Sequence, residues 1–292
     1  MPQNLSNVSL QVATVAVVAI GATLVILTGG IDLSPGLNVA LVTCTLAIRV
    51  KNMGLPLWLG IVLVLILGTL LGFGNGSFST YLKIPSLIVT LATMSIFRGL
   101  AFLINKGTPI FSVSPALEPI FYGKFLNIPL PFYYVISLYI LGAFFLRSTI
   151  QGRAIYAVGG NESAARLTGI RVNRTRMMAF VIAGFTASIG GVLLTAWLNS
   201  GSPNYGAELG LQSIAAAVIG GASLTGGYGS MIATLIGALT VAVVQNGLNL
   251  LAVLASWQEI TLGIVIVLAV GLDMWRSDIG RGIGRIFRAR AG

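Results

Sequence analysis

Gln151 to Arg176 reads QGRAIYAVGGNESAARLTGIRVNRTR, a charge-bearing stretch set inside an otherwise oily chain. Between Arg147 and Arg176 lie six arginines and one acid, Glu162, and the apolar runs on either side are long enough to cross a bilayer. A polar island so placed must face water. The segments that flank it are then the membrane-spanning ones.

The composition agrees. Of the 292 residues, 56% are hydrophobic and only 8% charged, where soluble domains carry about 25% charged residues. A β-barrel would show segments of about ten residues alternating apolar and polar side chains. Runs such as Trp58 to Phe73 are apolar on every face instead, as a lipid-embedded helix is. The 37 glycines suit helices that pack closely through small residues. An all-α, polytopic transmembrane helix bundle is expected.

The net charge of +10 does not point to nucleic acid, because eleven of the seventeen basic residues are arginines of the island and of the tail, Asp273 to Gly292. Sorting of basic loops to the cytoplasmic side accounts for them. With no histidine and the single cysteine Cys44, a zinc, haem or iron–sulfur site lacks ligands, and none is expected. No G-x-x-x-x-G-K-[ST] occurs, so the chain does not bind ATP in the P-loop manner, and any ATP dependence must be supplied by a partner.

About nine spans are expected: Val8–Leu27, the shorter Leu37–Ile48, Leu55–Phe73, Pro85–Ile104, Pro131–Leu146, Met177–Leu198, Leu211–Leu224, Met231–Leu254 and Ile260–Leu272. Thr28 to Gly36 breaks the first pair with two glycines and a proline. Gly74 to Ser79 reads as a turn, and Lys106 to Ile128 as a loop on the face opposite the island. The leader MPQNLSN has no basic n-region, so the first helix is expected to stay in the product. Five spans ahead of the island place the amino terminus across the membrane from it.

Within the island Asn161 is suited to cap a helix, Glu162 to sit at its positive end and Arg166 in its last turn. Gly169 is suited to stop it with Ile170 behind. The implied helix, Glu162 to Thr168, is about 10 Å long and too short to stand alone in water. Either a partner receives it in a groove, with Ala164 and Leu167 as apolar contacts and Arg166 on the flank, or it is a solvated connection on lipid headgroups.

Asp32 is the only acid before Glu118. It is a pathway candidate by cost of desolvation, or a helix cap beside Ser34. Arg98 could pair with it or snorkel to an interface; the second is favoured. An echo links Gly29, Gly30, Leu33, Ser34 and Gly36 to Gly220, Gly221, Leu224, Thr225 and Gly227 at a constant offset of 191 residues. Transporters with internal repeats carry broken helices at such places; glycine-mediated packing is the other reading. On the first, Gly30, Asp32, Ser34, Gly221 and Thr225 would lie along a translocation pathway.

LVILTGGIDLS (Leu24 to Ser34), AVGGNESAARLTGI (Ala157 to Ile170), IAAAVIGGASLTGG (Ile214 to Gly227) and NGLNLL (Asn246 to Leu251) resemble the permease subunits of ribose-type (ribose, xylose, galactoside) ABC sugar importers, from about Val15 to Asp273. The resemblance implies a bacterial inner-membrane protein that performs no covalent chemistry and binds no cofactor itself. Its partners would be two cytoplasmic ABC ATPases that use ATP, an extracytoplasmic sugar-binding protein, and a second permease copy or paralogue in the bilayer. Residues 1–275 would form one permease domain with a coupling loop at 151–176, and 276–292 a basic cytoplasmic tail. Asn161, Glu162, Ala164, Ala165, Arg166, Leu167 and Gly169 would couple the chain to the ATPase. The pattern commonly has valine where Pro35 stands, and one further helix ahead of Val8, which would give ten spans. An ion-coupled secondary transporter is the alternative, disfavoured by the scarcity of intramembrane acids.

Overall fold

Prolines mark where the helices begin. Pro35 opens one as its first residue, and Pro56, Pro85 and Pro129 stand immediately before three others, positions where the missing N–H costs nothing. The computed structural model describes residues 2–254, 256–265, 267, 268 and 271, with side chains from residue 12 onward. In chain order the helices are α1 (Pro2–Leu27), α2 (Pro35–Ala47), α3 (Leu57–Thr80), α4 (Ser86–Asn105), α5 (Glu118–Tyr122), α6 (Leu130–Ser148), α7 (Ile150–Gly160), α8 (Glu162–Leu167), α9 (Val172–Leu198), α10 (Leu209–Ile219) and α11 (Met231–Leu250). Residues 256–265 are also helical. The expected tail, 276–292, and part of the expected span Ile260–Leu272 lie outside the described residues.

The molecule is the expected all-α membrane bundle. Among the described residues α3, α4, α6, α9 and α11 are long and apolar enough to span a bilayer. α1 and α9 run through the centre: Ala13, Val17, Leu24, Ala183 and Ala187 are fully or almost fully buried. α3, α4 and α6 form an outer layer with Ile66, Leu70, Ile88, Ile140 and Phe144 exposed, as lipid-facing surfaces are. Small residues set a close approach between α3 and α9. A Cβ on Gly184 would lie 2.1 Å from the Gly68 carbonyl oxygen, and one on Gly72 would lie 2.2 Å from the Phe180 carbonyl oxygen. Backbones in such contact gain the dispersion energy that must replace a hydrophobic drive inside lipid.

Two sequence expectations are corrected. Gly74 to Ser79 is no turn: α3 continues to Thr80, because Gly76 packs against Met177 and Phe180 and Asn75 is buried and bonded to Ser34. Leu211–Leu224 is no crossing: α10 has 11 residues, about 16 Å against a hydrocarbon core of about 30 Å. Gly221, at φ +84°, stops it, with Gly221 N–H donating to Val218 and Ala222 N–H to Ala217. The island forms three consecutive helices, α7, α8 and the start of α9.

α2 is also half-length, with 13 residues. The starts of α2 and α10 meet: a Cβ on Gly36 would sit 2.4 Å from the Gly206 carbonyl oxygen and 2.9 Å from the Gly210 nitrogen. From there α2 runs away from the island, reaching Gly201 through Thr43 and Ala47, and α10 runs toward it. At the far end the 106–129 segment is tied down by short strands. Ile110–Phe111 pairs antiparallel with Ser200–Gly201, and Lys124–Phe125 with Ile128–Pro129.

The candidate coupling site and its glycine junction

The geometry of α8 follows from its own residues. The Asn161 side-chain oxygen accepts from Ala164 N–H at 2.9 Å, satisfying one of the free donors of the first turn. At the other end Gly169 adopts φ +84°; its N–H donates to the Arg166 carbonyl and Ile170 N–H to the Ala165 carbonyl, both at 3.1 Å. That is a full Schellman closure, with its apolar contact supplied by Ile170 packed on a cluster of Ala165, Val158 and Val172. The helix ends one residue before the expected Thr168.

Charge holds the same unit. The Glu162 carboxylate accepts from Arg166 at 2.8 Å and from Arg176, on α9, at 2.9 Å. The hydrogen bond from Arg166, helped by the nearby Arg176 charge, holds this carboxyl below its ordinary value against the opposing effect of burial. Only Ala165 of the helix is buried. Ala165 therefore anchors α8 to the protein. Ala164, Arg166 and Leu167 face outward, with Leu167 90% exposed.

Behind α8 lies a junction of glycines. α7 ends at Gly159 and Gly160, and a Cβ on Gly159 would lie 1.9 Å from the Leu27 carbonyl oxygen and 2.4 Å from the Gly227 nitrogen. Gly227 N–H donates to that Leu27 carbonyl at 2.9 Å. Gly226, at φ +88°, packs against Gly29 and Gly159. Thr28-Gly29-Gly30 after α1 and Thr225-Gly226-Gly227 before α11 thus meet on either side of the residues that lead into α8. Tyr156 adds a bond from its hydroxyl to the Gly229 carbonyl at 2.8 Å.

Of the five pathway candidates, Gly30 and Thr225 belong to the two segments that meet at this junction. Gly30 lines a cavity of about 460 Å³ shared with Thr80, Lys83, Glu162, Arg166 and Arg176. Asp32 and Ser34 are buried in a polar knot: Ser34 donates to the Asp32 carboxylate through N–H at 2.9 Å and Oγ at 2.7 Å, and Asn75 donates to Ser34 Oγ at 2.7 Å. Asp32 is thus a local brace at the break. Arg98 is exposed, 5.8 Å from the Phe102 ring centroid, and does not reach it. Gly221 and Thr225 sit in the 220–230 loop, where Thr225 Oγ1 and Ser223 Oγ are 2.9 Å apart. The 191-residue echo marks two helix breaks but not equal conformations: Gly29 and Gly221 have positive φ, whereas their counterparts Gly220 and Gly30 do not.

Sequence reading passed over a second cavity, of about 360 Å³, lined by Thr14, Glu208, Gln212, Gln245, Asn249 and Gln258 among others. Its signal was available: Glu208 with Gln212, and Gln245 with Asn249, are i,i+4 pairs on otherwise apolar helices.

The family described as branched-chain amino acid transport system / permease component matches residues 4–270. Among curated relatives, the ribose import permease protein RbsC of Bacillus subtilis is 41% identical over 278 residues, covering 94% of this chain and 86% of its own. RbsC of Haemophilus influenzae is 39% identical, covering 92% and 84%. The xylose transport system permease protein XylH of Escherichia coli is 34% identical, covering 93% and 84%. No solved structure matches the chain. The chain belongs to the branched-chain amino acid transport system / permease component family, and is a multi-pass membrane permease.

Proposed function

We propose that this chain is the permease subunit of an ATP-binding-cassette importer for a monosaccharide or a similar small polar solute, moving it by alternating access. ATP would be held and hydrolysed by partner subunits seated on α8, with Ala164, Arg166 and Leu167 as the contact face and Asn161, Glu162, Ala165 and Gly169 as the residues that hold that face in position. The observation that carries this reading is a helix of six residues, closed at both ends and fixed by Ala165, whose Leu167 is 90% exposed. A helix this short does not hold its shape in water alone, and an exposed leucine beside an arginine suits a groove on another protein.

The island and the tail would be cytoplasmic, since they carry most of the arginines. A binding protein that delivers the solute would approach the opposite face, and a second permease copy or a paralogue would complete the pathway. The likeness to ribose and xylose permeases supports a sugar as cargo. The test is uptake into liposomes by the purified assembly. Uptake of D-ribose or D-xylose that requires ATP and the binding protein and survives an ionophore is expected. Uptake that needs no ATP and collapses with an ionophore would overturn the reading in favour of ion coupling.

A further inference from the structure

The cavity lined by Gln212 and Gln245 lies deep in the bundle. Leu27, Ile219 and Met231 belong to the end of the molecule where the glycine junction sits. Counted from them at about 1.5 Å per residue, Thr14 stands about 20 Å in, Gln212 about 10 Å and Gln245 about 21 Å. Those depths fall within a hydrocarbon core of about 30 Å. Glu208, about 16 Å in by the same count, is nevertheless exposed on a single chain. Polar side chains at that depth do not face lipid; they face a water-filled path or protein.

The chemistry of the lining is specific. Gln212 donates to the Glu208 carboxylate at 3.2 Å, and Gln258 to the Asn249 side-chain oxygen at 2.9 Å. Thr14 Oγ1 is buried, 2% exposed, without a hydrogen-bond partner, and lines the same cavity. Amides and hydroxyls both donate and accept, as sugar hydroxyls do, and Trp197 and Tyr205 add amphipathic ring surface. Glu208 is the one charged residue among the lining residues described, so the set suits a neutral solute better than an anion. The cavity also adjoins the break just before α10, where Glu208 precedes its first residue, the kind of place where transporters hold substrate.

We propose that this cavity binds a neutral, hydroxyl-rich solute during its passage, with Gln212, Gln245 and Asn249 supplying the hydrogen bonds and Thr14 a further donor. The proposal rests on the reading of the chain as a solute permease. Cysteine placed at Gln245 in a Cys44→Ser background tests it in the assembled importer. A thiolate, formed where water reaches the thiol, attacks the sulfenyl sulfur of a charged, water-soluble methanethiosulfonate and displaces methanesulfinate, so Gln245→Cys should react at least about tenfold faster than Val243→Cys on the apolar face of the same helix; equal rates would overturn the proposal. Gln245→Leu should lower D-ribose or D-xylose uptake about tenfold with ATP hydrolysis and assembly retained, and Gln245→Asn should recover most of it; uptake by Gln245→Leu equal to the parent would also overturn it. If the unaltered importer takes up neither sugar with ATP, the importer reading itself fails, and the thiol rates alone decide whether the cavity is a polar path.

Discussion

Glu162→Lys reverses the charge that binds α8 to its surroundings, and its size can be worked out. The carboxylate makes two ion pairs, to Arg166 and Arg176, in which the side chains are between about a third and two thirds exposed. Each such pair contributes roughly 0.2–1 kcal/mol, and an acid in the first helical turn roughly 0.3–1 kcal/mol more. Losing these costs about 0.7–3 kcal/mol, before the repulsion among lysine and two arginines. That is small against the stability of a whole native state, typically 5–15 kcal/mol, so the protein should insert and purify as before. It is large for a helix of six residues, because each 1.4 kcal/mol is about a factor of ten in population. The assay is the ratio of sugar taken up to ATP hydrolysed in the reconstituted importer. A fall of about tenfold in uptake with normal yield is expected. Normal uptake, or loss of the protein from the membrane, would refute the reasoning.

Leu167→Asp removes the exposed apolar contact while leaving the helix closures intact, and should reduce co-purification of the ATPase without changing membrane insertion; the check is subunit stoichiometry after detergent extraction. Gly159→Ala drives a methyl group against the Leu27 carbonyl and the Gly227 amide, an overpacking cost of about 1–3 kcal/mol. Gly160→Ala, which meets nothing within 4 Å, should be near neutral, and thermal denaturation in detergent compares the two. For pH, the Glu162 carboxyl is lowered, first by the Arg166 hydrogen bond. Its contribution is therefore complete above the ordinary carboxylate value of 4.5 and is lost as pH falls below it through the depressed value. Coupling of uptake to hydrolysis should be flat from about pH 5 to about pH 8, and a fall within that range would contradict the assignment.

What could be read in the sequence was what local chemistry determines. Asn161, Gly169 and Ile170 act on neighbours within a few residues, so the α8 closures were legible nearly to the residue. The long spans were legible because oily runs admit only helices in lipid. The end of α3 was not, because Asn75 and Gly76 stay helical through contacts with Ser34 and Met177, far along the chain. The glycine junction joins residues 27–30, 159–160 and 225–227 and has no local mark beyond a repeated Thr-Gly-Gly. The stop of α10 could have been found: Gly221 uses the same closure as Gly169. The polar cavity was overlooked because single amides in apolar helices stand out only when their i,i+4 spacing is counted.

The seat of the ATPase on α8 can be observed directly. A photo-crosslinking side chain at position 167, in place of Leu167, should on irradiation of the purified importer form an adduct with the ATPase subunit, and one at position 160, in place of Gly160, should form little. Labelling at position 167 that goes to lipid alone, with the ATPase present and active, would contradict the role assigned to this helix.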